Sequence, residues 1–574
     1  MVIKPLQPTS KQLQWPAHDS TVLKVDWNPV NNLIVSGGED CKYKIWDSYG
    51  RPLYQSKPFD NVITSVSWCP NGELFAVGSY NNIRLCDKTG WSYSRERTQT
   101  GSIFNIAWAS DGTQLAGVGG SGSVCFGHLV DRRLEWQNVV VNLDEDNHIH
   151  VADVNSEAVE DLTFREKVIK MSLSFNHLIV ATASQCHIYN VSTWGTPIAF
   201  DLKDTANLIV QCEKYFLTVD NFSGLQVYNY EGRIISTPKY GGLRTEFMSN
   251  QSISMSNDFL AILDRIDRKI IHVVETSSGK ASETTIQHTQ EIIEVFINQY
   301  GHSSQRKVAF IDKNHDLYLS PILKPKPTKI ASMVNSALWS DKTDMLSAIM
   351  DGRLVVWMYP NAVFFDKDLT NLTRFTKDTS LEFGKNPQIL HFLGKTCTVR
   401  RTDGTVVATP VSPYPLLLYE YRDKNDWESC VRLCRFVQDQ ELWACLGAMS
   451  IDGNELNTAE VAFAAIEEVD KLQFIAHIKE IPSVEGKNAE LYLYKGLFKE
   501  AESVLLQAGL TYRAIKMNIR MFRWDRALEL ATRHKTHIDT VVAYRNKYLQ
   551  NFNKSENNEQ FLKLAETVLK WFLD

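Results

Sequence analysis

Val25-Asp26-Trp27-Asn28-Pro29, Val66-Ser67-Trp68-Cys69-Pro70 and Ile106-Ala107-Trp108-Ala109-Ser110 repeat one pattern at intervals of about 40 residues, the period of a WD-type propeller blade. Each is followed by a turn (Asn31-Asn32, Asn71-Gly72, Asp111-Gly112) and then by an apolar strand ending in small residues: Leu33–Gly38, Leu74–Ser79, Leu115–Gly120. Turn residues of this kind supply backbone angles that larger side chains resist. In the first unit the next strand, Lys42-Tyr43-Lys44-Ile45-Trp46-Asp47, alternates apolar and polar positions, as a strand with one buried face does. The second unit has Ile83–Asp87 there. The pattern predicts four-stranded blades repeated radially.

The first unit matches the WD-repeat consensus side chain by side chain: His18, Ser36, Asp40 and Trp46 occupy the positions of that family's hydrogen-bonded tetrad. A His, Ser and Asp set also suggests a hydrolase. The offsets are those of a blade, however, and no GxSxG nucleophile elbow accompanies them, so the set reads as structural. In the second unit Asn81 and Cys86 replace the tetrad Asp and Trp, which leaves that blade to rely on packing.

A propeller closes with four to eight blades, and residues 1–126 hold about three units plus Val2–Pro8, which reads like the last strand of a further blade. The expectation is an incomplete first ring that begins within a blade. Residues 130–412 have the length of seven more blades. Strand-like pieces recur there, among them His177–Thr182, Tyr215–Val219, Leu225–Tyr230 and Leu260–Leu263, and Ala337–Asp341 with Gly352–Trp357 restores a nearly full WD unit. A second, degenerate seven-bladed propeller is expected.

Past Pro413-Tyr414-Pro415 the period changes from 2 to about 3.6, which marks a boundary to helices. Trp427, Val431, Leu433-Cys434 and Val437 form one amphipathic face, and Leu442-Trp443, Leu446 and Met449 another. Thr458 reads as an N-cap. Phe498–Leu506 and Trp524–Ala531 look like successive helix-turn-helix units, so residues 413–574 are expected to form a tetratricopeptide-like α-solenoid. Apolar residues continue to Lys570–Asp574, which makes that end a candidate docking or dimer surface.

Composition narrows the function. At 574 residues with 14 Trp and a formal net charge of −6, the chain is a folded multidomain protein without the basic clustering that nucleic acid or an anionic membrane requires. Its ten Cys contain no CxxC pair, and Cys430 with Cys434, one helical turn apart, read as buried thiols. Scattered free thiols suit a reducing compartment. Asp144–His148 lacks the glycine of a calcium loop and reads as a solvated loop, and Lys324–Thr328 as a linker between strands. No metal, cofactor or catalytic residue is expected, and no membrane insertion.

Gly38–Leu53, Leu85–Tyr93, Val431–Val437 and Arg526–Ala531 carry a closer resemblance. With them the chain resembles the propeller-and-solenoid subunits of intraflagellar transport complex B. That resemblance implies a non-enzymatic subunit for anterograde transport and cilium assembly, found at the cilium, the basal body and in the cytoplasm. It also implies contacts with other complex B subunits, including one with a calponin-homology domain, and self-association through the helical tail. Members of that family begin upstream of the position matching Met1, which implies an N-terminally truncated form or fragment in which the calponin-homology contact is impaired. A vesicle-coat scaffold has the same architecture and is the alternative.

Overall fold

The computed structural model describes residues 2–3, 13–28, 30–70, 72–109, 112–145, 147–220, 222–245, 248–383, 387–401 and 405–563. The first repeat folds as a four-stranded antiparallel sheet, Val22–Trp27, Ile34–Gly38, Tyr43–Trp46 and Pro52–Gln55. The second and third share a five-stranded sheet, because two strands, Leu74–Asp87 and Ser92–Trp108, each run through a corner without breaking. The corners are Asn81 and Gly101, both with positive φ, and the Asn81 carboxamide oxygen accepts the Gly101 amide at 2.7 Å. Below the corner, residues 92–97 pair with 82–86; above it, 103–108 pair with 115–119. The expected separate strands Leu74–Ser79 and Ile83–Asp87 are therefore one element, and Asn81 sets the bend. Among the described residues Val2–Ile3 pairs only with Leu13–Gln14, in a two-stranded sheet. The rest of the Val2–Pro8 stretch lies outside the described residues.

Seven consecutive sheets follow between Arg133 and Pro410. Six have four strands, and the seventh has three, Gln388–Leu393, Thr396–Arg400 and Val406–Pro410. Strand order within each is the sequence order, and each innermost strand lies beside the next. Among the described residues no strand is exchanged between the ends of this ring, and side chains meet there: His391 of the seventh blade stands edge-on to Trp136 of the first, ring centroids 6.2 Å apart, and Leu393 joins the first blade's core. Burial lowers the His391 pKa, and a neutral imidazole suits that seam. Asp144 and Glu145 are the last two residues of the strand Val139–Glu145 and His148 opens the next, so this acidic stretch is partly strand; Asp146 lies outside the described residues.

The chain divides into two compact units, 1–356 with 376–413 and 357–375 with 414–574. The second unit holds ten helices between Tyr414 and Asn551 among the described residues, each 10 to 14 residues long. Helix Gln440–Asp452 is buried on all sides from Leu442 to Ile451, where the sequence suggested one amphipathic face. Gly447 lets it approach its neighbour: an added Cβ would lie 2.9 Å from the Phe463 ring. Thr458 is not an N-cap. It is the buried third residue of helix Leu456–Ala465, which begins after Glu455. Between the two expected solenoid helices lies a further one, Thr511–Arg520.

The segment 357–375, which interrupts the sixth blade before its last strand, was not foreseen as part of the helical unit. It carries the 3-10 turn Pro360–Phe364 and helix Lys367–Leu372, and buried Tyr359 donates to Asp452 at 2.6 Å. Tyr419 donates to the Met358 carbonyl at 2.7 Å.

Candidate interaction sites

The four tetrad positions come together on the first blade. His18 Nδ1 lies 2.9 Å from Asp40 Oδ1 and His18 Nε2 lies 2.8 Å from Ser36 Oγ, while Trp46 Nε1 donates to the same Ser36 oxygen at 2.8 Å. Geometry explains the assembly: Ser36 sits in the middle strand opposite Val25 and Lys44, and Trp46 pairs across from Ile34, so Ser36 and Trp46 meet on the sheet face turned away from the second blade. Burial opposes ionisation of Asp40, but the His18 hydrogen bond and charge, with the Lys42 and Asp19 amides, outweigh it and hold the carboxyl below its usual range. Ser36 is fully buried and its oxygen is taken up between two ring nitrogens. In the second blade Cys86 replaces the Trp and lies 3.5 Å from the Tyr43 hydroxyl, and that hydroxyl donates to the Gly90 carbonyl at 2.7 Å.

A cavity of about 590 Å³ opens at one mouth of the seven-bladed ring, lined by the turns between the first and second strands of its blades. These turns are stitched from blade to blade. Asn257 donates to Glu213 at 3.0 Å, and Arg306 Nε donates to Asp258 at 2.8 Å while its Nη1 bonds the carbonyl of Tyr300 at 2.9 Å. Behind them Lys307 pairs with Asp344, both almost wholly buried, and Asn298 donates to the same carboxylate at 3.0 Å. Lys214, Lys342 and Arg306 face Glu213, Asp258 and Asp341 around the mouth, so its charge is balanced. A charge-neutral mouth lacks the cationic surface that phosphates demand. No local pattern points to Arg306, because the carboxylate it reaches, Asp258, lies 48 residues away on another blade.

All ten cysteines are free, and Cys430, Cys434 and Cys445 are buried. Burial pushes the Cys430 thiol up to about 11 and Cys434 up to about 12, which disfavours the reactive thiolate. Among the described residues no group of three or more His, Cys, Asp or Glu is placed to hold a metal ion, and no helix is long and apolar enough to cross a membrane.

Blades of this repeat, a stitched ring and a helical solenoid define a WD-repeat scaffold of the propeller-and-solenoid class. Known proteins refine that class. Residues 9–47 and 51–87 match the WD domain, G-beta repeat; 131–414 match the IFT80 second beta-propeller; and 442–571 match the IFT80/172/WDR35/WDR19 TPR domain. The chain is 50% identical over 573 residues to the intraflagellar transport protein 80 homologs of Rattus norvegicus and Mus musculus, covering 99% of itself and 74% of each relative. It is 24% identical to the intraflagellar transport protein 172 homolog of Rattus norvegicus, covering 93% of itself and 32% of that protein. The chain belongs to the intraflagellar transport protein 80 family.

Proposed function

We propose that this chain acts without catalysis, as a scaffold subunit of intraflagellar transport complex B that joins partner subunits for anterograde transport and cilium assembly. It is an intraflagellar transport subunit built from propellers and a TPR-type solenoid, and the observation that carries the reading is 50% identity over 573 residues, spanning blades and helices alike. Residues 1–126, 130–412 and 413–574 serve as its three binding modules in this reading. The His18, Ser36, Asp40 and Trp46 network has a structural role, which its burial and closed hydrogen bonding support. Its partners are other complex B subunits, a calponin-homology-domain subunit among them, and a second copy reached through the helical tail. It resides in the cilium, at the basal body and in the cytoplasm.

The test is replacement in ciliated cells lacking the endogenous homolog. Tagged chain should travel along cilia, co-purify complex B subunits and restore cilium length. Accumulation at Golgi-like membranes with coat subunits would overturn the assignment in favour of a vesicle-coat scaffold.

A further inference from the structure

The mouth of the seven-bladed ring is matched in formal charge but not in hydrogen bonding. Its three carboxylates are engaged: Asp258 by Arg306 at 2.8 Å, Glu213 by the Asn257 side-chain amide at 3.0 Å, and Asp341 by the Gly394 N–H at 2.9 Å. Its cations have capacity to spare. Lys214 and Lys342 are exposed, and neither ammonium has an ion-pair or hydrogen-bond partner among the described residues. Arg306 is the sharper case. Its side chain is 4% exposed; Nε bonds Asp258, and Nη1 bonds the carbonyls of Asn298 and Tyr300 at 3.3 and 2.9 Å. Nη2 has no hydrogen-bond partner among the described residues, and the side chain lines the cavity. Buried polar groups are nearly always hydrogen-bonded, and a guanidinium fixed through two nitrogens presents the third in a set direction.

Arg306 ends the turn 298–306 of the fifth blade, the longest of the seven turns that join first and second strands in this ring. Gln299, on the same turn, donates through Nε2 to the Met255 carbonyl at 2.6 Å, and its Oε1 is buried without a partner. Across the ring, on the first and second blades, Trp136 and Phe175 form an aromatic wall of the same cavity, with ring centroids 5.3 Å apart. Trp136 Nε1 is a further buried donor without a partner, although a buried indole N–H usually finds one. The cavity thus has an apolar side, a cationic side with an unused donor, and one unmatched donor and one unmatched acceptor on its lining residues.

We propose that this mouth binds a peptide segment of a partner protein, with a carboxylate on Arg306 Nη2 and an apolar side chain on Trp136 and Phe175. A carboxylate is the complement of a spare guanidinium N–H, since it only accepts hydrogen bonds. A phosphate fits less well, because Asp258, Glu213 and Asp341 surround the donor and cancel the excess positive charge that a dianion needs. A peptide is favoured over a small carboxylate because its backbone carries both a C=O and an N–H, the two groups that Trp136 Nε1 and Gln299 Oε1 lack, and its side chains cover the aromatic wall. An Asp or Glu side chain and a chain's C-terminus present the same oxygens, and C-terminally capped peptides separate them. The site adds to the proposed scaffold without depending on which complex that scaffold serves, since it is measured on the purified chain.

The probes are N-acetylated Gly/Ser peptides that carry one Phe and one Glu at increasing separation, titrated calorimetrically into the full chain. Amidated peptides with Glu test the side-chain carboxylate, and free-acid peptides with Phe but no Glu test the C-terminal one. At least one of these should bind about tenfold more tightly than the amidated peptide with Gln in place of Glu, the discrimination expected of a charge-assisted hydrogen bond. Arg306→Lys should weaken that binding about tenfold, because an ammonium cannot hold Asp258 and the ligand in one plane. Arg306 also ties the turns together, so a second variant is needed. Lys214→Ser/Lys342→Ser alters two exposed side chains without partners; it should leave the thermal melt unchanged and weaken the same peptide about threefold or more, with a shallower salt dependence. Failure of every carboxylate peptide to exceed its uncharged counterpart would overturn the proposal, as would unchanged affinity in Lys214→Ser/Lys342→Ser. N-acetylglutamate binding as tightly as the best peptide would replace the peptide site with one for a small carboxylate, and so would overturn it too.

Discussion

Tyr494 donates its hydroxyl to Asp366 at 2.5 Å, across 128 residues of sequence. Asp366 lies in the segment that interrupts the sixth blade, and Tyr494 ends the solenoid helix Val484–Tyr494. The same carboxylate caps helix Lys367–Leu372 through the amides of Asp368 and Leu369 and lies 3.6 Å from Lys471. A short helix of six residues has little stability of its own, so these bonds set its place.

Tyr494→Phe is therefore expected to cost about 1 kcal/mol, the net worth of one hydrogen bond. Asp366→Ala should cost about 2 kcal/mol, because it removes the cap as well. Hydrogen exchange of the full chain checks both: peptides from 357–375 and 484–494 should exchange faster together, while those of the first three blades stay unchanged.

The tetrad makes a pH prediction. Asp40 is held below its usual pKa in the folded state, so its contribution to stability is complete above the ordinary carboxylate range near 4 and is lost as pH falls through the lower, folded value. Asp40→Asn should lower stability by about 1–3 kcal/mol at neutral pH, and the gap to the parent should narrow below about pH 4. Ser36→Ala should cost a similar amount at every pH, since it leaves two buried ring N–H groups or acceptors unmatched. Thermal melts of the three proteins from pH 3 to 7 check the sign; a gap that widens in acid contradicts it.

Lys307 and Asp344 form an ion pair with both side chains at or below 5% exposure. Taking charges out of water is costly, so removing one partner is worse than removing both. Lys307→Met should destabilise the ring by about 3–5 kcal/mol, whereas Lys307→Met with Asp344→Leu should recover much of that loss. Chemical denaturation of the single and double variants reads the coupling directly.

The blades were legible wherever a residue pattern returned every 40 positions, and the tetrad because each of its members has a fixed offset from Trp27. The seven-bladed ring was readable only as a length and a run of alternating strands, since its Trp positions have mostly decayed and Trp339 with Trp357 restores only a nearly full unit. Helix ends were misread where the sequence offered a good cap at the wrong place: Thr458 is a strong N-cap residue, yet packing buries it as the third residue of a helix that starts at Leu456. The segment 357–375 escaped because its partners, Asp452, Lys471 and Tyr494, are about 90 to 130 residues away, and no local pattern announces such a contact.

Glu502 and Arg526 join two solenoid helices, Phe498–Gln507 and Trp524–His534. Arg526 Nε and Nη2 reach Glu502 Oε1 at 3.0 and 2.6 Å, and the buried Asn518 donates to the other carboxylate oxygen at 3.0 Å. Hydrogen bonds that Arg526 donates to Glu502 and Glu529 push its pKa upward, so the guanidinium stays charged throughout the accessible range. Lysine cannot reproduce a two-nitrogen approach with one ammonium. Arg526→Lys should thus cost about 1 kcal/mol, a figure kept low because the guanidinium is 39% exposed and screened by water. Glu502→Leu should cost more, about 2–3 kcal/mol, since it strips Asn518 of an acceptor inside the helical core. A double-mutant cycle on the full chain should give a coupling near 1 kcal/mol that shrinks between 0.05 and 1 M salt. Coupling insensitive to salt would mean that Glu502 acts through Asn518 and not through its charge.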